Sequence, residues 1–332
     1  MTRSAMIAAA GIWLLLAIAA PAQEDDTEVY RGDPVPPEVD SLYVKGLAYL
    51  AKTQNKNGTW NAQYGSEPAL VGLAILAMLA HGDDPNTGPY SENIKRGLDY
   101  ILGKANQENG YIGGSMYNHG FATLALAECY GHVADDRIGP ALRKAVDLIL
   151  SSQKRNGVGA WRYSPESRDA DTTVSGAQMV ALIAARNAGM AVPDRAIERG
   201  LEFYRSCLCG DGGFGYVGAS GAGRPTTAIG ATVFALARLK QSVEFRSAMR
   251  YLRGTARSGQ MDTFYCLYYA AQAYFHESPE GWDAWNAGNI RTLSEIQASD
   301  GSWQGDEGPA FCTATALLSL ALNFRYLPIY ER

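Results

Sequence analysis

The stretch that decides the fold is Gln54-Asn55-Lys56-Asn57-Gly58-Thr59-Trp60, which recurs near the C-terminus as Gln297-Ala298-Ser299-Asp300-Gly301-Ser302-Trp303. Between these two copies, an Asn-Gly or Asp-Gly step followed by an aromatic residue occurs three more times. The steps are Asn109-Gly110, Asn156-Gly157 and Asp211-Gly212, and their aromatic residues are Tyr111, Trp161 and Phe214. A degenerate turn at Ser258-Gly259-Gln260 fills the wide gap that remains. The chain therefore contains six repeats of roughly 42 to 55 residues.

Each repeat has an amphipathic segment before the turn and a charge-free segment after it. Before the turn, apolar residues recur at helical spacing, as in Ile94, Leu98 and Ile101, with charged residues on the other face. After the turn, about a dozen residues carry no charge, and a helix that is apolar on every side is buried on every side. The charge-free segments begin near Pro68, His119, Thr172, Thr226, Thr263 and Ala310.

Six hairpins of this kind predict an all-α fold, an (α/α)6 toroid with the charge-free helices as its inner ring. An open solenoid is the alternative, but it leaves the apolar helices of its end repeats exposed. The sequence shows no polar capping repeat, which favours closure. The toroid is predicted to span residues 40–332. Its turn tryptophans are predicted to be structural and to pack between neighbouring hairpins.

The residues before the repeats resemble a targeting segment and a linker. Arg3 precedes an uncharged, mostly apolar run over residues 5–20, and Ala20-Pro21-Ala22 is typical of a cleavage site. Residues 1–22 are therefore predicted to be a signal peptide, and the mature protein to be exported, either periplasmic or secreted. An uncleaved membrane anchor is the alternative, although the run is short for a bilayer. The acidic, proline-rich residues 23–39 are predicted to form a flexible linker.

The composition excludes several classes of partner and cofactor. Of the 332 residues 47% are apolar, the net charge is −5, and no run is rich in Lys or Arg. We therefore expect neither nucleic acid nor an anionic membrane surface as a partner. We also expect that the chain is not an integral membrane protein after signal cleavage. No phosphate loop or metal-ligand cluster is visible, so neither cofactor nor metal is expected.

The five cysteines divide into two groups. Cys129, Cys266 and Cys312 lie in apolar helical segments, where a thiol is usually a small buried hydrophobe. Cys207 and Cys209 are separated by one residue, and a disulfide with another cysteine or metal binding stays open for them.

The two Gln-to-Trp stretches resemble the Gln-Trp repeat motif of the squalene–hopene and oxidosqualene cyclases. The β-subunits of protein prenyltransferases and the thioester domain of α-macroglobulins share this repeat family. The resemblance runs from about Asp40 to the C-terminus and implies the same toroid. The stretch Gly159-Ala160-Trp161-Arg162-Tyr163, with Asp169-Ala170-Asp171-Thr172-Thr173, is most similar to the cyclases, whose acid motif is Asp-x-Asp-Asp. The resemblance implies that Asp171 is a general acid supported by Asp169.

Three departures limit what this resemblance implies. Thr172 replaces the last carboxylate of the acid motif, and the chain has room for one toroid where a full cyclase has two. The prenyltransferase zinc site is not retained, because Phe264 stands where Cys is expected and Cys312 roughly where His is expected, although Asp262 is in place. The sequence also contains no Cys-Gly-Glu-Gln thioester run.

These observations favour a binding protein whose central cavity holds an apolar molecule, such as an isoprenoid or a lipid, or a partner's peptide. The candidate contact residues are Trp161, Tyr163, His119, Asp262, Tyr265, Tyr268 and Cys312. One alternative is an active isoprenoid cyclase, in which Asp171 protonates the substrate and the tyrosines stabilise a carbocation. A helix N-cap is the simpler interpretation of Asp171. The other alternative is a carbohydrate-active toroid enzyme, although few acids lie near the starts of the charge-free segments.

Overall fold

The structure, a computed structural model, describes residues 35–61, 68–256 and 261–330. Within these residues the chain forms twelve α-helices and no strand, apart from two isolated bridges. The outer helices are α1 (Pro37–Thr53), α3 (Ser91–Lys104), α5 (Ile138–Arg155), α7 (Asp194–Ser206), α9 (Val243–Gly254) and α11 (Pro279–Ile296). The inner helices are α2 (Pro68–Ala80), α4 (Met116–Cys129), α6 (Thr172–Asn187), α8 (Arg224–Leu236), α10 (Phe264–Glu277) and α12 (Pro309–Leu320). Two short 3-10 helices follow, Ala321–Asn323 and Pro328–Tyr330.

Three sequence predictions lie outside the described residues. They are the signal peptide at 1–22, the part of the linker at 23–34, and the degenerate turn at Ser258-Gly259-Gln260. The last residues assigned to the linker are described, and they belong to the toroid. Helix α1 begins at Pro37, because proline suits the first position of a helix, and Val39 is fully buried in the core.

The two kinds of helix take the two rings that their charge patterns predict. Every residue of α2 except Ala69 is buried. Helix α1 instead buries one stripe at helical spacing and exposes the other face. The buried residues of that stripe are Val39, Leu42, Tyr43, Gly46, Leu47 and Leu50. None of the described helices is both long enough and apolar enough to cross a bilayer.

The ring closes between the last hairpin and the first. Each inner helix packs on the next around the ring, and α12 packs on α2. Each outer helix packs on the inner helix before it, so α1 packs on α12. The Gln297 side-chain amide donates to the Leu42 carbonyl at 3.0 Å, which ties the last turn to the first helix. The all-α toroid of six hairpins is confirmed.

The Gln-to-Trp motif acts as a clamp in three of the turns. The side-chain amides of Gln54, Gln153 and Gln297 each donate to a carbonyl of their own turn and to a carbonyl of the next outer helix. Trp60, Trp161 and Trp303 are at most 2% exposed. Each indole N–H donates to a carbonyl near the end of its own outer helix, on Leu50, Ile149 and Leu293. The predicted burial of these tryptophans is confirmed.

Close approach of the next outer helix requires the glycine of the first turn and that of the last turn. Gly58 has φ +84°, and a Cβ there would lie 2.1 Å from the Arg96 carbonyl oxygen on the next outer helix. Gly301 repeats this arrangement with φ +90° and 2.3 Å to the Lys45 carbonyl oxygen. Any other residue would therefore separate two outer helices as well as strain the turn.

Candidate functional site: the mouth of the inner ring

The mouth of the ring is the end at which all six inner helices begin. Aromatic side chains gather there, from the first residues of inner helices and from the loops over them. We call them the mouth cluster, which consists of Tyr117, Tyr163, Tyr216, Tyr265 and Phe311. The ring centroids of Tyr117 and Tyr163 are 6.0 Å apart, and the Tyr163 and Tyr216 hydroxyls are 2.7 Å apart. Tyr265 stacks on Phe311 at 6.4 Å.

The mouth cluster is only partly buried, unlike the inner ring beneath it. Tyr163 is 47% exposed, and the other four members are half-buried. Main-chain bonds fix the loops, since the Met116 N–H donates to the Tyr163 carbonyl and the Thr172 N–H to the Tyr216 carbonyl. The cluster is therefore a surface of aromatic faces and hydroxyls held on fixed elements.

Below the mouth, the axis of the ring is filled by side chains from opposite helices. Phe121 of α4 lies 6.5 Å from Tyr265 and 6.4 Å from Tyr268, centroid to centroid. Both tyrosines are on α10, which lies across the ring from α4. Phe121 and Tyr268 are at most 3% exposed. Large aromatic side chains therefore meet across the axis at this level, where a central cavity was expected.

Asp171 is the N-cap of α6. Its Oδ1 accepts from the N–H groups of Thr173 and Val174, at 3.0 and 2.8 Å, and from the Thr173 hydroxyl at 2.7 Å. The side chain is fully buried, and its Oδ2 has no hydrogen-bond partner among the described residues. The simpler interpretation of Asp171 is thus observed, with one carboxylate oxygen left over.

A chain of hydroxyls joins Asp171 to the mouth cluster. The Tyr117 hydroxyl donates to Thr173 Oγ1, and that hydroxyl donates to Asp171 Oδ1. Burial raises the pKa of Tyr117 well above its usual value, so this phenol stays protonated at neutral pH. The hydroxyls of Tyr265 and Tyr269 are buried without a hydrogen-bond partner among the described residues. A ligand group at the mouth would meet Tyr117 before it could meet Asp171.

Asp169 does not support Asp171. Its carboxylate is 67% exposed and pairs with Arg162 at 2.9 Å. The Arg162 guanidinium lies over the rings of Tyr163 and Tyr216, at 5.6 and 5.8 Å from their centroids. The resemblance to the cyclase acid motif implied that Asp169 supports Asp171, but the turn before α6 points their carboxylates to different partners.

His119 and Trp161, both proposed as ligand contacts, are fixed inside the wall instead. His119 is fully buried, its Nδ1 accepts from the Ile112 N–H at 3.1 Å, and its Nε2 bonds to the Ala145 carbonyl at 3.0 Å. In two other repeats, the side-chain hydroxyls of Ser175 and Thr313 accept the corresponding backbone N–H groups, those of Trp161 and Trp303. In its repeat, His119 thus accepts the backbone N–H that a serine or threonine accepts in the other repeats. Its side chain faces the turn and α5.

The remaining predicted contacts do not converge on one site. Tyr265 belongs to the mouth cluster, and Tyr268 lies in the filled axis. Asp262 binds Arg224 through two bonds of 2.7 Å. Cys312 is fully buried, and its Sγ lies 3.9 Å from a Glu307 carboxylate oxygen. All five cysteines are free, and no three His, Cys, Asp or Glu side chains in the described ranges are grouped to hold a metal.

Sequence reasoning missed Tyr117, Tyr216 and Phe311. Tyr117 and Tyr265 are each the second residue of an inner helix, and Phe311 is the third of its own. Aligning the starts of the charge-free segments would have placed them at one level. Tyr216 carried no such signal, since it lies in a loop whose path the sequence does not define.

The chain is similar to one family and to two kinds of solved toroid. The family described as domain of unknown function DUF6288 matches residues 40–287. No curated protein matches the chain. The type II terpene cyclase MstE from Scytonema is 17% identical with a TM-score of 0.62, over 87% of this chain and 99% of that one.

The other solved toroids are glycoside hydrolases. A family 76 enzyme from a bovine Bacteroides thetaiotaomicron strain is 9% identical with a TM-score of 0.68, over 88% of this chain and 78% of that one. The GH76A α-1,6-mannanase from Salegentibacter sp. HEL1_6 is 8% identical with a TM-score of 0.66, over 85% and 98%. At these identities the likeness establishes a shared toroid fold and no activity.

Proposed function

We propose that this chain, which belongs to the DUF6288 family, is a binding protein that holds the apolar part of an isoprenoid or lipid molecule on the mouth cluster. The observation that carries the proposal is the filled axis, where Phe121 meets Tyr265 and Tyr268. Because these rings meet across the axis, the proposal places the ligand where the ring begins, on side chains that remain partly accessible.

The chemistry of the mouth cluster suits an amphipathic ligand. Aromatic faces provide large apolar contact area, and their hydroxyls provide hydrogen bonds at the edge of that area. Tyr163 and Tyr216 present hydroxyls near Arg162, whose charge is shared with Asp169. An alcohol or carbonyl head on an apolar chain would meet both kinds of group. Apolar side chains of a partner peptide are the other ligand that this surface suits.

The direct test is calorimetric titration of the full chain with geranylgeraniol, an isoprenoid alcohol. We expect saturable binding that weakens about tenfold in Tyr265→Ala, because burial of an aromatic side chain contributes roughly 1.5–3 kcal/mol and the ring here is half-buried. Tyr49→Ala is the matched control, since Tyr49 is a half-buried tyrosine on outer helix α1. Equal affinities in the wild type and Tyr265→Ala, or no binding at all, would reject this ligand class.

An active isoprenoid cyclase is the second candidate, and the unpartnered Asp171 Oδ2 favours it. A general acid delivers its proton from an oxygen that no other donor occupies, and Oδ2 is the oxygen of Asp171 that meets this condition. Such an acid would protonate one carbon–carbon double bond, and loss of a proton elsewhere would give an isomer of the substrate. Incubation with geranylgeranyl dihydroxybenzoate, followed by chromatography, tests this. A product of unchanged mass that disappears in Asp171→Asn would establish turnover, and its absence from the wild type would leave the binding function.

A further inference from the structure

In five of the six repeats the second residue after a turn glycine with positive φ is buried, and in repeat five the corresponding residue is not. These glycines are Gly58, Gly110, Gly159, Gly212 and Gly301. The five buried residues are Trp60, Ile112, Trp161, Phe214 and Trp303, each at most 2% exposed. In repeat five this residue is Met261, which is 37% exposed. Repeat five therefore lacks the apolar plug that its sister repeats insert at this point.

The partners of the plug are also changed in repeat five. In four sister turns the plug's N–H is accepted by a side chain in the first turns of the inner helix, from His119, Ser175, Thr227 or Thr313. The corresponding residue in repeat five is Leu267, which cannot accept. The carbonyl of Leu252, which corresponds to the carbonyls that receive the indole N–H groups, accepts from Arg224 Nη1 at 2.6 Å.

The outer helix that follows each turn also differs after repeat five. In repeat six the plug packs against a small residue of that helix, since a Cβ on Gly46 would lie 3.0 Å from Trp303 Cζ3. This position, four residues before the last buried apolar residue of each outer helix, is small in five cases. The five residues are Gly46, Gly97, Ala145, Gly200 and Ala248. On α11, which follows repeat five, the residue is Asn289.

A cavity lies where the plug is missing. It has a volume of about 590 Å³ and lies between α9, α10 and α11. Its wall combines aromatic and polar side chains, including Tyr251, Tyr274, Trp285, Asp262, Asn289 and Met261. Trp285 stacks on Tyr274 with 5.4 Å between centroids and an interplanar angle of 14°. We call this space the repeat-five wedge.

Asn289 lines the wedge, and its side-chain amide carries an unpaired acceptor. Asn289 is 6% exposed, and its Nδ2 donates to Ser319 Oγ at 3.1 Å. The Ser319 hydroxyl donates its own proton to the Ala316 carbonyl, so it can only accept from Asn289, and this fixes the orientation of the amide. The unpaired atom of this amide is therefore its oxygen, Oδ1, which is buried without a hydrogen-bond partner among the described residues. A buried acceptor without a hydrogen bond lowers the stability of the fold, and a donor on a ligand would supply the missing bond.

We propose that the repeat-five wedge binds a small planar aromatic ligand that carries an N–H or O–H donor, such as an indole or a phenol. The ring takes the place that an indole of the chain itself takes in repeats one, three and six. The donor bonds to Asn289 Oδ1, and the ring lies among Tyr251, Tyr274 and Trp285. This site is separate from the mouth cluster.

The test uses indole and indene, which have nearly the same shape but differ in the N–H group. In an NMR titration of the full chain, indole should bind saturably and about tenfold more tightly than indene, as expected for one hydrogen bond to a buried acceptor. Asn289→Ala restores the small residue of the sister helices and removes the acceptor. In this variant the preference for indole should disappear while indene binding is retained.

A second variant tests occupation of the same space. Met261→Trp restores the plug residue of the sister turns, and it should abolish indole binding and raise the thermal midpoint. Tyr49→Ala, on α1, should bind indole as the wild type does. The proposal is overturned if indole does not bind saturably up to low millimolar concentration, or if Asn289→Ala keeps the preference for indole. Should Met261→Trp fail to fold, the Asn289→Ala comparison still decides.

Discussion

Two sets of aromatic residues lie at the same end of the toroid and have opposite surroundings. The turn tryptophans are sealed between hairpins, with every indole N–H bonded to a carbonyl of the chain. The tyrosines of the mouth cluster are partly exposed, and three of them, Tyr117, Tyr163 and Tyr216, form hydrogen bonds through their hydroxyls. The difference separates residues that hold the ring together from residues that are accessible to a ligand. It also predicts that the two sets respond differently to mutation, in stability for the first and in ligand affinity for the second.

The largest expected effect is on a turn tryptophan. Trp303→Ala removes a fully buried indole that contacts α1 and helps to close the ring. Its free energy of unfolding should fall by roughly 3–5 kcal/mol, as for other large-to-small changes in a core. Urea denaturation followed by circular dichroism measures this. Trp285→Ala is the control, since Trp285 is half-buried at the edge of the wedge and should cost less. A loss below about 1 kcal/mol for Trp303→Ala would remove the contrast between the two sets.

The next effect concerns His119, the buried acceptor in the turn of repeat two. Burial lowers the pKa of His119 from 6.5 to about 4. The unfolded chain therefore binds a proton at higher pH than the folded chain does. The stability contributed by the neutral ring is complete above about pH 6.5 and is lost progressively as the pH falls to about 4, on the order of 3 kcal/mol in all.

His119→Thr provides the measurement, because threonine is the acceptor at Thr227 and Thr313. Urea unfolding of the wild type and the variant at pH 7 and pH 4.5 should show a smaller pH dependence in His119→Thr. Other groups titrate in both proteins and cancel in the difference. Parallel pH profiles would mean that His119 can be protonated inside the fold.

The sequence predicted the turn set well and the mouth set poorly, for a physical reason. A turn residue is bound to a local pattern, because the glycine, the clamp glutamine and the plug lie within a few residues of one another. That pattern was sufficient to predict the toroid and the burial of Trp60. The mouth cluster depends on which sides of six helices face the axis, and a helix without charges gives no sign of its faces. Tyr117 and Phe311 were therefore missed.

The same reasoning explains the errors. His119 was expected to face a cavity because it starts a charge-free segment, but its position matches Ser175, which serves the turn. The central cavity was expected from the toroid fold and its apolar inner helices. Phe121 and Tyr268 show that large residues from opposite sides meet in the space left over. Only the packing of distant repeats decides that outcome.

A smaller effect is expected at Asp171, whose N–H donates to the Trp161 carbonyl and whose carboxylate joins the hydroxyl chain to the mouth cluster. Asp171→Ala removes the N-cap bonds to Thr173 and Val174 and should cost about 0.5–2 kcal/mol. Asp171→Asn keeps a capping oxygen and should be nearly neutral. Unfolding curves of the two variants in parallel check this. If Asn costs as much as Ala, the carboxylate charge, and not the cap, stabilises the start of α6.

The smallest effect on stability is expected at Tyr163, and it tests the comparison most directly. Tyr163 is 47% exposed, and its side chain contacts the Tyr216 hydroxyl, the Arg162 guanidinium and the Tyr117 ring. Exposed contacts of this kind contribute little, so Tyr163→Ala should change the free energy of unfolding by less than about 0.5 kcal/mol. The same variant should weaken geranylgeraniol binding severalfold, and Tyr163→Phe, which keeps the ring, should weaken it less. A loss of 2 kcal/mol or more in stability without a change in affinity would place Tyr163 with the turn tryptophans, as part of the wall and not of the surface that the ring presents.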